Sequence, residues 1–224
     1  MVVWSQLFRG DTLSTTVVLV LLTMSVLSWV VILWKWWLLR QAAASVSTAI
    51  GVFWAAPDWA TAATQVEHTD TTGLVPPLVA AAASGRSTGP SNLGNQGGQA
   101  PRLTRLLRDA LSLSQQRLQW GQVVLASVGA TAPFVGLLDT VWGIYHALMG
   151  MAAEGQVTID KVSGPVGEAL VMTAAGLGVA IPAVLAYNAL GRSAGRVEAV
   201  LDAFAHDLRE WILQAPPGGN EGHR

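Results

Sequence analysis

Gly164-Pro-Val-Gly-Glu-Ala-Leu-Val-Met-Thr-Ala-Ala-Gly-Leu-Gly-Val-Ala-Ile-Pro-Ala-Val-Leu-Ala-Tyr-Asn188 is the stretch that decides the fold. It is long enough to cross a bilayer as one helix, and its one ionisable acid is Glu168. A carboxylate in a low-dielectric setting is strongly disfavoured unless it is protonated, paired or hydrated. Such a residue therefore marks a functional site by default. The plainer alternative is that Glu168, only about 6 Å along the axis from Gly164, reaches back to the membrane interface. On composition alone both readings stand.

Working outward, the rest of the chain supports a membrane setting. Of its 224 residues 51% are hydrophobic and 12% charged, about half the charged fraction of a soluble domain. Cysteine is absent, which removes disulfides, thiol nucleophiles and thiolate metal sites. A formal net charge of −1 without a long basic run argues against nucleic acid as a partner. No nucleophile elbow, phosphate-binding Gly-Lys loop or metal-spaced His pair occurs, so an enzyme is not expected, and no cofactor is implied. His68, His146, His206 and His223 are scattered and read as surface or packing residues.

In chain order, residues 1–12 form a short N-terminal lead-in and 13–34 a first span. Trp4, Trp29, Trp34, Trp36 and Trp37 flank or end that apolar run, where interfacial rings are favoured. The run is too long for a signal-peptide core and its basic flank, Lys35 and Arg40, follows it, so it reads as a permanent span. Residues 35–122 are a polar excursion, with helix compatible up to a break at Pro57. Pro76-Pro77, and then residues 84–101, rich in Gly, Pro, Ser and Asn, read as flexible loop. Leu103, Leu106, Leu107, Leu111, Leu113 and Leu118, interspersed with arginines, predict an amphipathic helix. A second span covers 123–151, a polar hairpin 152–163 and a third span 164–190. Residues 191–224 continue as an amphipathic helix and a tail. The expected fold is therefore an all-α integral membrane protein with three transmembrane helices. Basic residues concentrate in the excursion and after the third span. The positive-inside rule thus puts the N-terminus outside and the large domain and C-terminus in the cytoplasm.

Steps of four and three along the second span meet Gly129, Pro133, Gly136, Thr140, Gly143, Ala147 and Gly150, all small or proline. The third span has a matching seam at Ala169, Thr173, Gly176, Ala180 and Ala183. Such seams let helix backbones approach closely. They are read here as packing between copies in a homo-oligomer, which could enclose a cavity that three spans alone cannot. The rival is that each seam packs the two spans together within one copy. Thr140 and Thr173 either bond back to a carbonyl one turn earlier or line a hydrated path with Glu168.

Leu125-Ala-Ser-Val-Gly-Ala-Thr-Ala-Pro-Phe-Val-Gly-Leu-Leu138, Thr140-Val-Trp-Gly-Ile-Tyr145, Glu168-Ala-Leu170 and Ala180-Ile-Pro-Ala-Val-Leu-Ala-Tyr-Asn188 resemble the ExbB/TolQ/MotA proton-channel family, most closely its ExbB branch. The resemblance covers all three spans in order and is poor in the excursion. It implies an inner-membrane homopentamer around the helices of an ExbD-like partner, working with a TonB-like protein and surrounded by membrane lipid. The complex would use the proton motive force to drive transport across the outer membrane. Glu168 matches the family's intramembrane glutamate, and Thr140 and Thr173 match its pore-facing threonines. A related transducer with a TolQ-like role in envelope maintenance, and a non-conducting scaffold, are the alternatives.

One departure stands out. Where the family motif normally reads Gly-Leu-Phe-Gly-Thr-Val-Trp-Gly, this chain has Gly136-Leu-Leu-Asp-Thr-Val-Trp-Gly143. Asp139 is thus a second intramembrane carboxylate beside Thr140. Three readings stand for it: an added relay or tuning group, an acid held protonated against a neighbouring helix, or a block to conduction.

Overall fold

The computed structural model describes residues 12–86, 98–154 and 159–214. Among them are six helices: α1 (Thr12–Ala55), α2 (Trp59–Thr69), α3 (Pro76–Arg86), α4 (Gln99–Gln119), α5 (Gln122–Glu154) and α6 (Ile159–Gln214). Three of these, α1, α5 and α6, contain stretches long and apolar enough to cross a membrane. The chain divides into two compact units, and α1 and α6 each supply residues to both.

The first unit combines α1 up to Lys35 with Gly121–Leu190. Its core is formed by Val17 and Leu21 of α1, Val128 and Ala132 of α5, and Met172, Ala180 and Ala183 of α6. Val31 of α1 approaches Gly121, whereas Val17 and Leu21 share the core with Val128 and Ala132, so α1 and α5 run antiparallel. Large apolar side chains such as Phe134, Val141, Val171 and Leu185 point away from this core and are exposed. That inversion of the usual soluble pattern suits helices surrounded by lipid or by other apolar helices. Trp29, Trp34, Trp36 and Trp37 are likewise exposed, and Arg40 lies over the Trp36 ring at 4.5 Å.

The second unit takes Trp36–Trp120 and the chain from Gly191 onward. Leu39, Ala42, Val46, Ala49 and Phe53 form the buried stripe of α1 here, and Val197, Leu201, Phe204, Leu208 and Ile212 that of α6. Both stripes advance by threes and fours, as an amphipathic helix requires. Phe53 meets Trp54, Trp59 and Phe204 edge-on, while Trp59 stacks on Trp211 with ring centres 5.8 Å apart. The Arg86 guanidinium lies over both Trp59 and Trp211.

A buried carboxylate organises the corner between α2 and α3. Asp70 Oδ1 accepts hydrogen bonds from Ser45 Oγ, Thr72 N and Thr72 Oγ1, and Oδ2 accepts from the backbone N–H groups of Leu74 and Val75. Burial pushes this carboxyl up, but the bonds from Thr72, Val75 and Ser45 outweigh it and hold Asp70 below the usual carboxylate range. From α4, Ser114 donates to the Leu74 carbonyl and Arg117 to that of Gly73. Gly73 sits at φ 65°, where a side chain would be strained.

Several boundaries differ from the sequence expectation. The break at Pro57 is present, with Asp58 capping α2 through Thr61 N at 2.8 Å. Pro76-Pro77, expected as loop, instead opens α3, because proline is tolerated in a first helical turn whose N–H groups have no intrahelical acceptor. Ser84–Arg86 and Gln99–Pro101 are helical, so the loop expected at 84–101 does not include these two segments. Tertiary packing overrides composition there: Gly85 is buried against Leu103, and Arg102 donates to the Ser84 carbonyl. Residues 87–97 lie outside the described part. Of the hairpin expected at 152–163, residues 152–154 belong to α5 and 159–163 to α6, and residues 155–158 lie outside the described part. The third span and the amphipathic continuation after it are one helix. Lys35, read as an interfacial charge, is 0% exposed, because α1 continues past it and the face bearing it stays packed.

Candidate functional site

The site is built where α5 meets α6. A Cβ on Gly136 would lie 2.6 Å from the Met172 carbonyl oxygen, and one on Gly176 2.7 Å from that of Ala132. Gly143 stands over Ala169 and Gly129 over Val184, so the two helices run antiparallel with backbones nearly touching. The small-residue seam at Gly129, Gly136, Gly143 and Gly176 is therefore taken up within one copy. This is the arrangement set against packing between copies, the reading preferred from sequence. Ala180 is buried in the same core, and Pro133 is half-buried within the continuous α5.

The close approach places two hydroxyls between the helices. Thr140 Oγ1 lies 3.2 Å from the Gly136 carbonyl oxygen and 3.0 Å from that of Ala169, and the Thr140 and Thr173 hydroxyls hydrogen-bond to each other. Thr173 Oγ1 also lies 3.4 Å from the Gly136 carbonyl oxygen. Sequence reasoning offered a bond one turn back or a shared path; the geometry adds a bond across to the partner helix. The threonine pair thus links α5 to α6.

Glu168 is exposed in the single chain. It precedes the buried Ala169 by one residue, about 100° around the helix, and so stands at the edge of the α5-facing seam. The structure brings Thr140 and Thr173 together and leaves Glu168 beside them, facing outward. Asp139 is different: it is buried at 4% exposure, and its Oδ1 has no hydrogen-bond partner among the described residues.

Beyond these, Trp142, Tyr145 and His146 form an aromatic group on α5, with the His146 ring 4.5 Å from that of Trp142. The burial of Lys35 and of Ser28 was missed from sequence. The signal was available in the spacing Leu21, Ser28, Lys35, Leu39, Ala42, which keeps one helical face through an otherwise uniform apolar run.

Three long apolar helices, two of them a glycine-lined antiparallel pair with a carboxylate at its edge, mark a membrane-embedded protein. The model of the MotA/TolQ/ExbB proton channel family matches residues 78–203, more than half the chain. The chain belongs to that family. The biopolymer transport protein ExbB of Xanthomonas campestris pv. campestris is 42% identical over 213 residues, covering 91% of this chain and 83% of the relative. ExbB of Neisseria gonorrhoeae is 55% identical over 107 residues, 48% of this chain and 49% of its own. The Tol-Pal system protein TolQ of Pseudomonas aeruginosa is 33% identical over 191 residues, 83% of this chain and 81% of the relative.

Proposed function

We propose that this chain is the proton-channel subunit of an energy-transducing complex in the bacterial inner membrane, driving TonB-dependent transport across the outer membrane. The observation that carries the reading is Glu168: an exposed carboxylate within a long apolar helix, at the edge of the α5–α6 seam and beside the linked Thr140 and Thr173. The similarity to ExbB over 91% of the chain supports the assignment to TonB-dependent transport.

In this reading the N-terminus is periplasmic, with 13–34, 123–151 and 164–190 in the bilayer. Residues 35–122 and 191–224 are cytoplasmic. Copies assemble as a homopentamer, and their third spans turn Glu168 toward the helices of an ExbD-like partner. A proton entering this interior neutralises Glu168, and its release restores the charge. The change alters attraction between the ring and the inner helices, so the partner moves relative to the ring and a TonB-like protein receives the motion. One charge crossing a potential of 100 mV is worth about 2.3 kcal/mol, enough to bias such a step. No covalent bond is made or broken. Thr140 and Thr173 keep the α5–α6 wall closed and present oxygen atoms along it.

Glu168→Gln should abolish energised uptake while the complex still assembles; normal uptake in that variant would sink the proposal. The similarity to a TolQ along 83% of the chain favours a second reading, an envelope-maintenance subunit. Identifying the membrane proteins that co-purify with the chain separates the two, since each output requires its own partner.

A further inference from the structure

We propose that an outward stripe of α1 holds an anionic phospholipid, its phosphate on Arg40 and an acyl chain along Val26, Trp29 and Leu33. Steps of three, four, three and four lead from Val26 to Trp29, Leu33, Trp36 and Arg40, so the five share one face of the helix. All five are exposed in the single chain. From Val26 to Arg40 the stripe runs about 21 Å along the axis, close to the depth of one leaflet, about 15 Å of hydrocarbon and a headgroup layer. Lys35 is buried on another face, so Arg40 is the first exposed charge on α1 as the helix leaves its apolar run.

The Arg40 guanidinium lies over the Trp36 ring, 4.5 Å from its centre. Stacking orients the guanidinium and leaves the N–H groups at its edge free to hold two phosphate oxygens at once. Among the described residues no carboxylate pairs with Arg40, and α1 carries no acid from Thr12 to Ala55. That charge complements a phosphate and also selects among headgroups. The ammonium of a zwitterionic headgroup would stand beside a guanidinium with no acid on α1 to receive it. An uncharged alcohol on the same phosphate, as in phosphatidylglycerol, meets no such repulsion. The stripe suits lipid better than a second copy of the chain. Helices here approach one another through glycines such as Gly136 and Gly176, whereas this face is bulky and apolar up to its arginine.

The inference rests on α1 crossing the membrane and not on Glu168, so it and the transport reading can fail separately. Native mass spectrometry of the detergent-extracted complex counts bound molecules as phosphatidylglycerol, phosphatidylcholine or free glycerol phosphate is added. We expect phosphatidylglycerol to bind most tightly, and Arg40→Gln to weaken it about tenfold, to the level of phosphatidylcholine. Trp36→Leu removes the platform but keeps the charge, should weaken binding in the same direction, and supplies the comparison if Arg40→Gln assembles poorly. Arg108→Gln, at an exposed arginine of α4 away from the stripe, should leave binding unchanged. Equal binding of the two lipids, glycerol phosphate held as tightly as the lipid, or an equal loss in Arg108→Gln overturns the proposal. So does an Arg40→Gln variant that keeps phosphatidylglycerol but loses copies from the complex, which would make the stripe a contact between subunits.

Discussion

Thr140 reaches two carbonyls and the Thr173 hydroxyl, so its loss reaches both helices. Thr140→Val keeps the shape and removes the donor, leaving the Ala169 carbonyl without that bond. We expect destabilisation of about 1–2 kcal/mol, read as a lower melting temperature in detergent. An unchanged melt would mean that the pair does not hold α5 to α6. Asp70 tests the other unit. Asp70→Ala strands the buried N–H groups of Leu74 and Val75 and should cost on the order of 3 kcal/mol. The pH dependence has a defined sign, because the folded Asp70 carboxyl lies below its unfolded value near 3.8. The stabilisation is fully present above that value and is lost as pH falls through the folded one. The variant's melt should therefore depend less on pH in the acid range than the wild type's; equal dependence would contradict the account. None of this corner was legible in the sequence. The bonds from Ser45, Ser114 and Arg117 join positions far apart in the chain, which no local pattern signals.

At the level of elements, the glycines of α5 and α6 are demanding in unequal degree. A Cβ at Gly136 would meet backbone at 2.6 Å, whereas one at Gly51 of α1 would meet nothing within 4 Å. Gly136→Val should force the helices apart, at a cost of about 1–3 kcal/mol or more. Gly51→Ala should be neutral or stabilising by up to about 1 kcal/mol. Paired melting curves check the contrast, and equal effects would contradict the close approach. The seam was legible because small residues recur at helical spacing in both spans. Which surface the seam meets was not, since the same pattern serves a neighbour in the chain or another copy. Pro76-Pro77 shows the opposite limit. The residues are helix breakers inside a helix but not at its first turn, and sequence alone did not locate the turn.

For the molecule as a whole, the apolar surface left over is the informative quantity. With the seam used inside one copy, the proposed pentamer would have to form on outward faces such as those of the exposed Phe134, Val141, Val171 and Leu185. A pentamer built on those faces should survive Gly51→Ala, and mass measurement of the intact complex should return five copies together with an ExbD-like partner. A monomer, or a ring without a partner, would contradict the assembly. The three spans were legible from hydropathy and length, because few other structures satisfy so long an apolar run. The site was legible only in part: Glu168, Thr140 and Thr173 were singled out, but the enclosure of Asp139 depends on the register of α1 against α5. The central claim is that Glu168 carries the proton step, and proton flux into liposomes holding the complex with its partner tests it most directly. Flux under an imposed potential should be measurable in the wild type and fall to the empty-liposome level in Glu168→Gln, with the mass of the complex unchanged. Wild-type flux in that assembled variant would contradict the account.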